Sequence, residues 1–414
     1  MDALKHATTI VSKLARAGFT AYFAGGWVRD FVMGHPSEDI DIATNASPSQ
    51  IMNLFPNTIL VGLAFGVVIV MIEGHQFEVA TFRKDLHYID GRHPQGIEMS
   101  TPHEDALRRD FTINGMFYDP LEEKIHDYVH GREDIQRRLI RTIGNPHERF
   151  FEDRLRMLRA FRFSSRFSFN IDPETQQAIS ENANKLFPAV AMERVLQEFN
   201  KMAAYPAFDQ AIVEMHRLGL LDVIFPEMEG VHIKDLRHQV VRYAHFPKET
   251  PTVLYLMELF PQLPLEEKLD IARRFKASNK DIKLLEFFEK LSRAVKAEEN
   301  NQSIDLQQWA HLLADPQSGL VLEVLASRYP DHERLQFLQK YQTRLHNLEA
   351  HIQRLREGKP LVSADFLRQQ GIAPSKKMGL LLKEAERIAI TENQHDPAQV
   401  LAKLIQTPLW KQPL

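Results

Sequence analysis

The sequence predicts an α+β chain: a head of mixed sheet and helices, followed by an all-helical remainder. Two observations carry this. Twelve of the 18 glycines lie within residues 1–150 and only four follow Gly230, so turns concentrate at the front. Up to about residue 140, β-like stretches alternate with helical ones; from about Ile135 onward the pattern changes to long amphipathic runs.

Residues 19–23 open the head as a strand, and Gly25-Gly26 follow directly as a turn into a helix. Residues 39–43 form the next strand, and Ser47-Pro48 supply a cap and a first-turn proline for a second helix. The apolar run from Ile59 to Ile72 has 14 residues, too few for the roughly 18 of a membrane span, and Gly62 and Gly66 interrupt it. It predicts two buried strands, 58–61 and 67–72, with further strands at 76–82 and 115–118. Residues 83–102 are polar and without periodicity, and predict a mobile loop. The helices that follow cover 148–163, 175–186, 192–202 and 207–217, and continue to the end without an internal repeat.

Composition narrows the function. A chain of 414 residues, 44% apolar and 26% charged, is an ordinary globular protein of two to four domains. Without cysteine it has no disulfide, no thiolate metal site and no cysteine nucleophile, which fits a reducing cytoplasm. Met1-Asp2-Ala3-Leu4-Lys5-His6 lacks the layout of a signal peptide. The net charge of −4 argues against a uniformly basic nucleic-acid binder, so local patches decide.

Four segments carry chemistry. In Glu38-Asp39-Ile40-Asp41-Ile42-Ala43, strand alternation turns Asp39 and Asp41 to one face and the isoleucines to the core. Paired carboxylates repel unless a cation joins them, and hard oxygen donors favour Mg²⁺ or Mn²⁺, the layout of a two-metal phosphoryl-transfer site; an exposed strand edge produces the same pattern. In Ala24-Gly25-Gly26-Trp27-Val28-Arg29-Asp30, the glycines admit a phosphate to backbone N–H groups at a helix start, and Arg29 adds a forked donor or pairs with a neighbouring acid.

Within Glu152-Asp153-Arg154-Leu155-Arg156, continuing through Arg159 to Arg162, a three-residue spacing predicts one polar stripe on a helix. Residues 132–166 hold ten Arg, no Lys and five acids, a local excess of positive charge in a form suited to geometry rather than solubility. Asp153 can accept from the exocyclic amine of cytosine or adenine while Arg156 donates to the ring nitrogen; uracil and guanine present the opposite arrangement. Arg108-Arg109-Asp110-Phe111-Thr112-Ile113-Asn114 offers contacts to triphosphate or ribose, or a structural turn, and Glu78 is a third strand acid.

In this order and spacing, the segments resemble the class II tRNA nucleotidyltransferases, the family of CCA-adding enzymes and bacterial poly(A) polymerases. The resemblance covers about residues 20–200, including Met192-Glu193-Arg194, which looks like the family's later helical motif. It implies a polymerase-β-like head at 1–140, a helical neck for base recognition at 141–210, and a helical body and tail for tRNA at 211–414. It further implies that Asp39 and Asp41 are catalytic and bind two Mg²⁺ ions, for which Mn²⁺ can substitute. Gly26, Arg29 and Arg109 would hold the nucleotide, Asp153 and Arg156 would act as the template, and Arg159 and Arg162 would lie nearby.

The expected activity is template-independent addition of CCA to the tRNA 3′ end from CTP and ATP in the cytoplasm, with release of pyrophosphate and without a membrane or an obligatory protein partner. Addition of A alone, of CC alone, or of poly(A) are the alternatives; a non-catalytic RNA-binding protein on the same scaffold is a more remote one. The chain ends on Thr407-Pro408-Leu409-Trp410 and onward without the basic tail of a poly(A) polymerase, and His93 stands where CCA-adding relatives typically carry arginine.

Overall fold

The computed structural model describes residues 2–35, 37–62, 66–88 and 94–411. These fold as two compact units, Met1–His238 and Gln239–Leu414. In the first, helix α1 (Asp2–Arg16) buries Ala3, Ala7, Ile10, Val11 and Leu14, the spacing of a single helical face. That face packs on a sheet whose strands are β1 (Ala21–Ala24), β2 (Asp41–Thr44), β3 (Thr58–Gly62), β4 (Val67–Ile72), β5 (His75–Thr81), β8 (Met116–Asp119) and β9 (Lys124–Asp127). Their order across the sheet is β3-β4-β5-β2-β1-β8-β9. Only β2 and β5 run parallel; every other neighbouring pair is antiparallel. Phe23, Ile42, Val68, Val70, Phe77 and Val79 form the core beneath α1.

Helix α2 (Gly26–Val32) leaves the end of β1. Helix α3 (Pro48–Leu54) starts as its sequence predicts: the Ser47 hydroxyl accepts from Gln50 N–H, the Gln50 side chain returns to Ser47 N–H, and Pro48 occupies the first turn.

The described residues of 83–102 do not form the irregular loop predicted above. β6 (Arg83–Tyr88) and β7 (Pro94–Met99) pair as an antiparallel ribbon, with Lys84 opposite Glu98, and α4 (Pro102–Leu107) follows. The polar sequence of 83–88 and 94–99 carries no apolar alternation from which a strand could be read. The tip that contains His93 lies outside the described residues.

After α5 (Gly131–Arg137), the long helix predicted at 148–163 is broken. α6 (Pro146–Glu152) ends at Asp153, whose backbone is extended, and α7 (Arg156–Phe167) begins three residues later. The Asp153 carboxylate accepts from Leu155 N–H at 3.0 Å. A short acidic side chain that satisfies the backbone locally competes with continuing the helix, so Asp153 stands before α7 rather than on its stripe. α7 buries Met157, Leu158, Ala160, Phe161 and Phe163 against α9 (Met192–Ala203) and α10 (Phe208–Arg217); α8 (Pro173–Asn182) packs on α6.

The second unit is helical. Trp309, Tyr341 and Phe260 are fully buried in it, and the buried Glu258 carboxylate accepts from Arg242 at 2.9 Å and from Arg328 at 2.5 Å. Among the described residues no helix is long and apolar enough to cross a membrane.

Candidate active site

Gly25 joins β1 to α2 with φ +66° and ψ −123°, a backbone conformation that only glycine adopts without strain. A Cβ there would also lie 2.9 Å from Nη1 of Arg109. The turn is therefore built around an arginine as well as around a bend. A Cβ on Gly26 would lie 3.6 Å from the Arg29 guanidinium.

Asp39 precedes β2 and Asp41 begins it; both residues are exposed, while Ile40 and Ile42 are buried. The strand begins two residues later than the sequence predicts, but the alternation is as expected. The parallel register of Ile42 with Val79 carries Glu78 of β5 alongside Asp41. Loss of hydration within the surrounding structure, then the negative charges of Glu78 and Asp39, push the Asp41 carboxyl up to about 6, with Arg109 opposing. Bringing a cation to this face would relieve the repulsion. Among the described residues no group of three or more His, Asp or Glu side chains forms a complete metal site. Two hard carboxylate donors, Asp39 and Asp41, therefore stand on one face of the strand.

Arg109 donates through Nε and Nη2 to Asp105 of α4, at 3.2 and 2.9 Å, and through Nη1 to the Asn114 carbonyl at 3.4 Å, with its guanidinium 5.0 Å from the Phe117 ring. Burial works against the charge of Asp105, but Arg109 and Arg108 overcome it and hold the carboxyl below its usual range. About a fifth of the Arg109 side chain stays exposed, enough for a further partner.

Arg29 is placed differently from an open phosphate donor. It is 3% exposed, pairs with Asp30 Oδ1 at 2.8 Å, donates to Asn114 Oδ1 at 2.6 Å, and lies over the rings of Phe167 and Phe163. Asn114 in turn donates to Asp110 Oδ1 at 3.1 Å, and Asp110 Oδ2 accepts from Arg159 Nε at 2.8 Å. Burial alone would raise the Asp110 carboxyl; the Arg159 charge, the Asn114 hydrogen bond and Arg156 reverse this and hold it well below the usual carboxylate range. Asp110 and Asn114 sit within a segment that sequence reading singled out for phosphate or ribose. What they do is join the glycine turn to α7.

On the other stripe positions, Arg156 donates to Glu152 Oε2 at 2.5 Å and to the carbonyls of Arg149 and Arg108 at 3.1 and 3.2 Å. Arg162 pairs with the buried Glu198 of α9 at 2.6 Å, and Arg194 reaches Asp153 Oδ2 at 3.4 Å. Each stripe residue therefore has an acidic or basic partner on another element or in the preceding turn. Sequence reading missed Glu198 and Glu152 as partners, although the 3–4 residue spacing of Arg149, Glu152 and Arg156 was a usable signal.

A family profile described as "Poly A polymerase head domain" matches residues 21–141, and one described as "Probable RNA and SrmB- binding site of polymerase A" matches 168–231. The CCA-adding enzyme of Lactobacillus johnsonii is 32% identical over 403 residues, 93% of this chain and 92% of that protein. This chain belongs to the CCA-adding enzyme family. The CCA-adding enzyme of Bacillus licheniformis is 42% identical over a shorter stretch, 59% of this chain and 60% of that protein's length. Among solved structures, the Bacillus stearothermophilus CCA-adding enzyme in complex with CTP superposes with a TM-score of 0.78 at 27% identity, covering 97% of this chain and 98% of that one. The Thermotoga maritima CCA-adding enzyme complexed with tRNA shares the fold, with a TM-score of 0.72 at 18% identity over 97% of this chain and 94% of that one.

Proposed function

We propose that this chain adds C, C and A in turn to the 3′ end of tRNA, taking CTP and ATP and releasing pyrophosphate, without a nucleic-acid template and in the cytoplasm. The observation that carries the reading is the exposed Asp39–Asp41 pair, in which burial and the charges of Glu78 and Asp39 push the Asp41 carboxyl up against Arg109, beside a glycine turn at a helix start. We assign residues 1–140 to a head, 141–210 to a neck and 211–414 to a body and tail that hold tRNA.

In the mechanism, Asp39 and Asp41 would hold divalent cations, two ions in the reading adopted here. Such ions would supply Lewis-acid chemistry for attack of the tRNA 3′-hydroxyl on the α-phosphorus with pyrophosphate as the leaving group. The backbone at Gly25-Gly26 receives phosphate oxygens, and Arg109, anchored by Asp105, offers them its exposed edge. Arg29 serves the nucleotide from beneath, by fixing the glycine turn through Asp30 and Asn114. Asp153 accepts the amine of cytosine or adenine and Arg156 donates to the ring nitrogen, exchanging part of its hold on Glu152 and the two carbonyls for the base. Arg159 and Arg162 keep α7 in place through Asp110 and Glu198.

The test is incorporation of labelled CTP and ATP with Mg²⁺ into tRNA transcripts ending before CCA, after C and after CC. Extension of all three to one CCA end is the expected result. Extension of the CC-ended transcript alone would replace the proposal with A addition, arrest at CC would replace it with CC addition, and long A tracts would replace it with poly(A) synthesis. Asp39→Ala and Asp41→Ala are expected to abolish incorporation while leaving tRNA binding; loss of both would remove these residues from the chemistry.

A further inference from the structure

Between Arg149 and Arg166, five arginines face carboxylates: Arg149 and Arg156 share Glu152, Arg159 meets Asp110, Arg162 meets Glu198 and Arg166 meets Asp30. Arg154 is the exception. It is 9% exposed, yet no acid pairs with it among the described residues. Its guanidinium lies 5.4 Å from the centre of the Phe151 ring, and Nη1 donates to Asn182 Oδ1 at 3.3 Å. Nε and Nη2 have no partner among the described residues and, unlike Nη1 of Arg194, they are not sealed from solvent. Burial with no carboxylate against it lowers the guanidinium below the ordinary arginine range.

Asn182, the last residue of α8, gathers a second cation. Its Nδ2 spends both hydrogens, on the Ala178 carbonyl at 2.8 Å and on Nδ1 of His147 at 3.0 Å, so Oδ1 is left to accept from Lys185 Nζ at 3.1 Å as well as from Arg154. Two positive groups therefore converge on one neutral oxygen. Glu181 is turned to Nε2 of His147 at 3.6 Å and accepts from Gln177 at 2.9 Å, and it pairs with neither cation. Like charges brought together repel, and a largely buried cation without a counter-charge is costlier than an exposed one. An anion shared by Arg154 and Lys185 removes both costs.

Next to the cations stands Phe151, 53% exposed on α6. A phosphate alone makes no use of a ring. A nucleotide in a single strand does, because its base stacks on an aromatic face while its backbone meets positive charge. We propose that Arg154, Lys185 and Phe151 form a site for one unpaired nucleotide of the RNA substrate, with its phosphate between the two cations and its base on the ring. The site rests on the reading of tRNA as the substrate and not on the roles of Asp39 and Asp41. It places an RNA contact within 141–210, apart from the body and tail assigned above to holding tRNA, and on residues outside the stripe of Asp153, Arg156, Arg159 and Arg162.

The experiment is fluorescence anisotropy of the full chain with a labelled tRNA transcript ending before CCA, over a range of KCl and without nucleotide or Mg²⁺, beside incorporation of CMP by the same variants. Lys185→Gln is expected to lower the slope of log affinity against log salt by about 0.7, the share of one phosphate contact on a single strand. Phe151→Ala is expected to weaken binding about tenfold with the slope unchanged, as loss of one base stack does, and Phe151→Trp to retain the affinity. Both residues are exposed, so these variants read the site even where Arg154→Met, expected to act as Lys185→Gln does, loosens the fold. An unchanged slope in Lys185→Gln, or unchanged affinity in Phe151→Ala, would overturn the proposal. Loss of incorporation in the wild type with this split of slope and affinity intact would overturn the proposed function and leave the site standing.

Discussion

Asp41 is held at a cost that its stability should reveal. Its native carboxyl titrates near 6 against an ordinary 3.8, so the folded chain binds the extra proton between these values and stability falls as pH rises through that window. Asp41→Asn is therefore expected to raise the melting temperature at pH 7–8 and to leave it unchanged below pH 4, while incorporation is lost. A melting temperature lowered at both pH values would contradict the electrostatic account. Asp110 behaves in the opposite sense. Removing it in Asp110→Ala leaves the Arg159 guanidinium without its partner, at a cost of about 3 kcal/mol, the low end for a broken buried pair because a third of the Arg159 side chain remains exposed. Thermal unfolding of this variant against Arg159→Met checks the figure. The methionine variant removes both the charge and its need for a partner, but it still leaves Asp110 buried.

At the scale of elements, short-range patterns were legible in the sequence and long-range ones were not. The alternation of Asp39 and Asp41 with Ile40 and Ile42, and the Ser47–Gln50 cap, depend on neighbours two or three residues away, and both appear as read. The commitment of Arg29 to Asn114 spans 85 residues and that of Arg159 to Asp110 spans 49, distances over which spacing carries no signal. The ribbon of 83–88 with 94–99 escaped notice because its polar sequence has no apolar period, and the break at Asp153 because an arginine stripe continues past it. Gly25 lends itself to a test at this scale. Gly25→Ala places a Cβ at an unfavourable φ and 2.9 Å from Arg109, so the turn or the arginine must move. Nucleotide kcat/KM is expected to fall at least about tenfold, with the larger share in KM; an unchanged KM would separate Arg109 from the nucleotide.

For the whole molecule, two quantities follow from charge. Glu298 in the second unit is held down at about 2 from an ordinary 4.5 by hydrogen bonds from Arg344 and Lys340 that outweigh burial, and Asp105 and Asp110 in the first are also depressed. Each binds fewer protons folded than unfolded, so the stability it contributes is complete above its ordinary value and is lost as pH falls through the native one. Acid unfolding followed by circular dichroism is expected to begin below pH 4.5, and Glu298→Gln to flatten the response between 4.5 and 2. The second quantity is salt dependence. Under the proposed function, a net charge of −4 makes long-range attraction to RNA weak and leaves tRNA binding to local patches. Raising monovalent salt from 50 to 200 mM is expected to weaken tRNA binding by about 10²-fold or less, short of the loss seen for proteins with many phosphate contacts.

The chain of bonds from Arg29 through Asn114 and Asp110 to Arg159 also bears on how such a sequence can drift. A change at any one of the four strands a buried partner, so single substitutions there lead into a fitness valley that only a matched second substitution crosses. Neutral variation should therefore accumulate around this ladder in correlated pairs, and libraries that randomise its members jointly should yield folded variants that one-at-a-time scans never reach.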